Sequence, residues 1–302
     1  MRHTFHILDV FTDTAFSGNP LAVVLDAASI PSERCQTVAR EFNLSETVFV
    51  QEPRDPVNTA RVRIFTPTRE LPFAGHPTVG TAMLLAQLRA PEMLARQDLS
   101  IVLEETIGPV QCIVRRTRGK VRSSFTLPRL PERVGETPSN EALAAALSLT
   151  ADDLNFDNHH PCLFSAGVPF VCVPLRDGDA IRRARPDMAL WGTTLPSSGP
   201  GALFVYTRDV AMDGSAFHAR MFGPGLGMIE DPATGSAVAA LAGAVMAFDH
   251  PADGDHTLLI EQGFEMGRPS FITLGLDVEG GILISASIGG GAVIVAEGTL
   301  HL

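Results

Sequence analysis

The chain is poor in aromatic rings, with one Trp, one Tyr and 6% aromatics over 302 residues. Platforms that stack nucleobases are built from several such rings, so single-stranded nucleic acid is not an expected ligand. Positive charge is also short. Lys and Arg number 23 against 34 Asp and Glu, a net of −11 with a pI near 5.2. A net-acidic chain without a basic run argues against nucleic acid or an anionic membrane as partner. A small anionic substrate remains compatible, because local groups read it. Cysteine is scarce. Cys35, Cys112, Cys162 and Cys172 match no zinc or redox spacing. They read as reduced thiols buried as small hydrophobes, which points to the cytoplasm. No apolar run is long enough to span a bilayer, the longest being 237–248. The opening residues MRHTFHILDVF lack signal-peptide anatomy.

What the chain has is apolar mass and an internal echo. Hydrophobic residues make up 45%, and the length suggests roughly two domains. The stretch EDPATGS (230–236) matches ELPFAGH (70–76), with Glu, Pro and Gly at the same offsets. Upstream, RMFGP (220–224) matches RIFTP (63–67), and GVPFVCV (167–173) matches GNPLAVV (18–24). Downstream, LLIE (258–261) followed by Gly267 matches SIVLE (100–104) followed by Gly108. These matches keep one order at offsets of about 149 to 160 residues, which argues for two copies of one fold.

Each copy reads mostly as strands. VRIFT, SIVLEET, PVQCIVR and KVRSSFTL alternate or are rich in β-branched residues. One strong helix per copy follows the aligned Gly. Pro77 suits a first helical position, which puts His76 near the N-cap. Ser236 is an N-cap type for the second helix. Both helices are apolar nearly all round, so each is expected to be buried among its strands. Weaker helices are expected at 32–41 and 141–147. The fold class is therefore α+β: two similar domains related by a pseudo-two-fold, each a β-barrel-like sheet around a central helix. The domains are expected at about 1–120 plus 288–302, and 121–287. Packed about such an axis, both helix starts would face one cleft. Their unpaired N–H groups and dipoles would suit a carboxylate.

The segments DVFTDTAFSGNPLAVV (9–24), REFNLSETVFV (40–50), RIFTPTRELPFAGHPTVGTA (63–82), MFGPGLGMIEDPATGSA (221–237) and EQGFEMGRPS (261–270) resemble the PhzF-like family of phenazine biosynthesis. That resemblance implies a diaminopimelate-epimerase-like fold. It also implies a cofactor-independent isomerase that moves a proton on a small ring amino or hydroxy acid, as in trans-2,3-dihydro-3-hydroxyanthranilate isomerisation. The Glu of the SET segment, Glu46, is implied as acid/base. His76, Asp231 and Ser236 are implied to line the pocket, and a homodimer is implied. Racemases of this fold use a pair of cysteines near the helix starts. AGHPT and DPATGSA contain none, which disfavours the runner-up, an amino-acid epimerase or racemase. A non-catalytic small-molecule-binding protein is the other alternative, since a fold does not fix a function.

The chemistry asks for these residue types. Returning a proton to a different carbon needs a base whose pKa lies near working pH, and partial burial raises a carboxyl toward it. Glu46 opens an apolar strand. Asp231 can serve as a second acid or hold an amino group, and His76 can relay a proton. Gly75 and Gly235 let backbone N–H groups approach a substrate carboxylate. Asn19 and Ser236 complete the candidate binding set. Each residue also has a plainer reading. Glu46 can be a strand-edge surface residue, Asp231 a complement to the helix dipole, and His76 and Ser236 simple caps.

Other motifs fail. Gly75-x-x-x-x-Gly80-Thr81 lacks the Lys of a phosphate loop. Gly223-Pro-Gly225-Leu-Gly227 lacks dinucleotide spacing. His159-His160 with Cys162 lacks a second ligand group and reads as a solvated loop, so no metal is expected. Gly289-Gly290-Gly291 marks a strand junction or bulge.

Overall fold

A computed structural model describes residues 2–195 and 201–302. The chain divides into two compact units, Met1–Thr126 with Gly289–Leu302, and Leu127–Ile288. The fold is α+β.

The first unit contains β1 (Arg2–Val10), β2 (Asn19–Val24), α1 (Ser32–Phe42), β3 (Glu46–Gln51), β4 (Ala60–Phe65), β5 (Glu70–Leu71) and α2 (Gly75–Arg89). A short α3 (Pro91–Leu94) leads to β6 (Leu99–Glu105), β7 (Gly108–Thr117) and β8 (Lys120–Thr126). The C-terminal strand Ala292–His301 returns to pair antiparallel with β1. From there the ladder runs β1 against β2, β2 parallel to β3, and β3 against β4. β4 pairs antiparallel with β5 and parallel with β6, and the hairpins β6–β7 and β7–β8 follow. α2 packs against β1, β2, β3, β6, β7, β8 and the C-terminal strand. It has no polar stripe, so every face needs cover, and its residues from Gly75 to Ala86 are all buried.

The second unit contains β9 (Glu132–Gly135), α4 (Asn140–Ala146), β10 (Cys162–Ser165), β11 (Pro169–Pro174), α5 (Gly178–Arg183), α6 (Met188–Thr194) and β12 (Leu203–Thr207). Then come β13 (Phe217–Gly223), β14 (Met228–Asp231), α7 (Gly235–Phe248), β15 (Gly254–Gln262), β16 (Ser270–Glu279) and β17 (Ile282–Gly290). The pairing order repeats that of the first unit. β11 runs parallel to β12, β12 opposes β13, and β13 pairs antiparallel with β14 and parallel with β15. α7 packs against β9, β10, β11 and β16. β16 alternates buried and half-buried residues along its length, the period of a strand with one face on a core.

The aligned sequence matches fall at equal places in the two ladders. Phe65 pairs with Glu70, and Phe222 with Glu230. Arg63 grips Glu70 through two hydrogen bonds of 2.7 and 2.6 Å, and Arg220 grips Glu230 at 2.8 and 2.9 Å. Each guanidinium also lies over the ring two residues on, Phe65 or Phe222. A bidentate Arg–carboxylate pair thus staples each short strand that leads into a buried helix.

Three local expectations need correcting. α2 begins at Gly75 with Ala74 as its N-cap, so His76 and Pro77 lie inside the first turn. Pro77 is tolerated there because a first-turn N–H has no intrahelical acceptor. α7 is capped by Thr234, which leaves Ser236 inside the helix. His159 is not in a solvated loop. It is buried between the Tyr206 hydroxyl at 3.0 Å and Asp249 at 2.9 Å.

Candidate active site

The candidate residues fall into two groups, one in each unit. In the first unit three elements meet. Parallel pairing sets Glu46, the first residue of β3, beside Leu21 of β2. α2 brings His76, 6% exposed, so that Nε2 lies 3.4 Å from Glu46 Oε2, whose side chain is 12% exposed. The Nδ1–H of His76 donates to the Pro20 carbonyl on β2, while Nε2 is buried and makes no aligned hydrogen bond. Burial pushes His76 down to about 3, against the opposing pull of the Pro20 bond. The ring is therefore neutral, and its tautomer is fixed by the bond at Nδ1. A bare Nε2 can accept a hydrogen bond from a carboxylic acid but has nothing to donate to a carboxylate. The contact at Nε2 is thus matched to a protonated carboxyl and not to a carboxylate. Gly75 and His76 also supply first-turn N–H groups that have no acceptor within α2.

In the second unit Asp231 ends β14 and is 6% exposed. The Thr234 hydroxyl donates to Asp231 Oδ2 at 2.6 Å. Gln262, fully buried at the end of β15, organises both residues. Its amide NH2 donates to the Asp231 carbonyl at 2.8 Å and to Thr234 Oγ1 at 3.1 Å, and its oxygen accepts from Thr234 N at 3.1 Å. The next residue, Gly263, has φ 79 and passes so close to Pro232 that a Cβ would overlap its carbonyl. Thr234 and Gln262 thus aim the Asp231 carboxylate. Gly235 is buried at the first position of α7, and Ser236 beside it is half-buried.

The structure brings Glu46, His76 and Gly75 together, and gathers Asp231, Gly235 and Ser236 at the start of α7. Asn19 opens β2 one residue before Pro20 and is fully buried. The sequence reading did not single out Thr234, Gln262 or the Pro20 carbonyl. A buried Gln at the end of the apolar run LLIEQ was the one available sign of Gln262. Among the described residues no cluster of His, Cys, Asp and Glu is arranged to hold a metal ion.

The family model described as phenazine biosynthesis-like protein matches residues 8–298. An uncharacterized isomerase of Mesorhizobium japonicum is 49% identical over 299 residues, 98% of each chain. The trans-2,3-dihydro-3-hydroxyanthranilate isomerase of Pseudomonas fluorescens is 32% identical over 300 residues, 99% of this chain and 100% of that one. The crystal structure of a Bacillus anthracis phenazine biosynthesis protein of the PhzF family superposes with a TM-score of 0.89 at 27% identity, covering 100% of both chains.

Proposed function

The chain belongs to the phenazine biosynthesis-like protein family and is an isomerase, and on that premise we propose that it moves a proton between carbons of a small ring amino or hydroxy acid by carboxylate acid/base catalysis. The observation that carries this reading is the buried contact between Glu46 and the neutral His76. Glu46 takes a proton from a substrate carbon, and the electron pair moves into the adjacent π-system. His76 Nε2 then accepts a hydrogen bond from the Glu46 acid and holds it over the ring. Glu46, whose acid proton exchanges with solvent before delivery, gives a proton to a second carbon, so the reaction is balanced with no net proton and no electron taken from solvent. One residue does both steps, which is the economy that a base with a partly buried carboxyl provides.

Asp231, steadied by Thr234 and Gln262, is an acceptor for a substrate N–H or O–H. First-turn N–H groups, at Gly75 in the first unit and at Gly235 in the second, are each suited as donors to an anionic group. The dihydrohydroxyanthranilate of the Pseudomonas fluorescens enzyme has the required ring, amine, hydroxyl and carboxylate, so it is the first substrate to offer. The two-thiol route of an epimerase finds no support in the chain's cysteines, all of which are buried and none of which falls in the helix-start segments AGHPT and DPATGSA.

The test is turnover of that compound in heavy water, followed by NMR at the ring carbons. Glu46→Gln is expected to lower deuterium incorporation about 10²- to 10⁴-fold, the usual size of an acid/base contribution. Incorporation at the wild-type rate would sink the assignment. His76→Phe removes the acceptor while keeping a flat ring. It is expected to lower turnover less than Glu46→Gln.

A further inference from the structure

Glu105 ends β6 inside the first unit and is 8% exposed. Its Oε1 lies 2.6 Å from Thr78 Oγ1, and its Oε2 is buried without a hydrogen-bond partner. Thr78 Oγ1 also lies 2.7 Å from the carbonyl of Ala74, the residue that caps α2. A hydroxyl has one hydrogen to give, and here it faces two oxygens at bonding distance. The Ala74 carbonyl cannot donate. With Glu105 ionised, one of the two contacts would be an oxygen pair without a hydrogen between them. A buried charge would also stand with no cation, since none of the described ion pairs includes Glu105. One proton on Glu105 satisfies both contacts: the acid donates to Thr78, and Thr78 donates to Ala74.

The second unit supplies an independent comparison. Glu104 pairs with Arg61 and Glu261 with His218 at equal places in the two ladders, so Glu105 and Gln262 occupy equal positions. Gln262 is a neutral side chain whose NH2 donates to a threonine hydroxyl at the start of the buried helix. A protonated Glu has nearly the same shape and donates to a threonine in the same region of its own unit.

We propose that Glu105 is a carboxylic acid, not a carboxylate, in the folded protein at neutral pH, and that by donating to Thr78 it is a positioning residue for the first turn of α2, which carries Gly75 and His76. Desolvation pushes Glu105 up from an ordinary 4.5 to about 8, with the Thr78 contact opposing it. The titratable group facing it is the Cys112 thiol of β7, itself raised by burial and then by Glu105, so it remains uncharged. The inference concerns the resting protein and stands apart from the identity of the substrate.

The sign is fixed by linkage. A folded-state pKa above the unfolded one gives stability that is complete below about 4.5 and is lost progressively as pH rises through about 8. The Tm of the wild-type chain minus that of Glu105→Gln is therefore expected to shrink across that window and then level off. An infrared difference spectrum of wild type against Glu105→Gln at neutral pH is expected to show the C=O band of a protonated carboxyl. The His76 ring resonances are expected to stay in place in Glu105→Gln and to move in Glu105→Leu, which cannot donate. Carboxylate bands at neutral pH, a Tm difference that grows with pH, or a Gln variant that disturbs His76 as much as the Leu variant would each overturn the proposal.

Discussion

Single side chains do their work here by deciding where protons sit. His218 shows the opposite outcome to His76. Both are nearly buried, at 5% and 6% exposure. Burial pulls His218 down as well, but hydrogen bonds to Glu261 at 2.8 Å and Glu265 at 3.0 Å outweigh it and hold the ring at about 9. Both nitrogens of His218 must donate, so the ring is a cation. Its pKa is raised above the ordinary 6.5, so its stabilisation is complete below that value and is lost as pH rises through about 9. Arg220 lies 3.9 Å from Glu265. The wild-type chain is expected to lose Tm between pH 6.5 and 9, and His218→Gln to flatten that fall. A fall of equal size in the variant would assign it elsewhere. Thr234 offers a second test at this scale. Thr234→Val strips a donor from the buried Asp231 carboxylate, and the expected cost is about 1–3 kcal/mol in urea unfolding.

At the level of elements, the two copies share a staple but bury it to different depths. Arg220 is 3% exposed and also donates to the Ile181 and Ala184 carbonyls, whereas Arg63 and Glu70 have side chains 16% and 36% exposed. Removing one partner of a buried pair costs about 3–5 kcal/mol, and of a solvated pair about 0–1 kcal/mol. Glu230→Ala is thus expected to lower stability several-fold more than Glu70→Ala in parallel urea titrations. Similar losses would show that depth of burial is not what separates the two. The central helices carry a second dependence. Gly243 of α7 lies against the Phe164 ring, and Gly80 of α2 against Leu21 and Val10, with no room for a Cβ. Alanine gains roughly 1 kcal/mol of helix propensity but overpacks at about 1–3 kcal/mol. Gly243→Ala is expected to destabilise despite the propensity gain, and a rise in Tm would contradict the packing argument.

Across the whole molecule, the chain withholds its thiols. All four cysteines are buried. Desolvation lifts Cys35 to about 11, and Cys112 and Cys172 are raised as well, Cys172 first by its contact with Cys162. A thiol attacks as its thiolate, so iodoacetamide is expected to label none of them in the native protein at neutral pH and all four after urea unfolding. Rapid native labelling accompanied by loss of turnover would revive the thiol-based epimerase reading. No helix among the described residues is long and apolar enough to cross a membrane.

The sequence by itself determined the α+β class, the doubled arrangement of segments and the two apolar helices, because each is written in local pattern. Period and turn residues specify strands, an unbroken apolar run specifies a buried helix, and a repeated motif needs no third dimension to be seen. The repeat drew attention to the helix starts that hold His76 and Asp231, whereas Glu46 was singled out by the family resemblance and not by local pattern. Local pattern misplaced the first turns of both helices, because caps depend on the backbone angles of Ala74 and Thr234, which residue type alone does not specify. Tertiary structure alone decided the protonation and aim of the site. Pro20 fixes the His76 tautomer from a different strand, and Gln262 steadies Asp231 across 31 residues of chain. Burial is a property of what packs around a residue, not of its neighbours in sequence. That is why His76 is neutral and His218 charged, although a composition counts them as the same side chain.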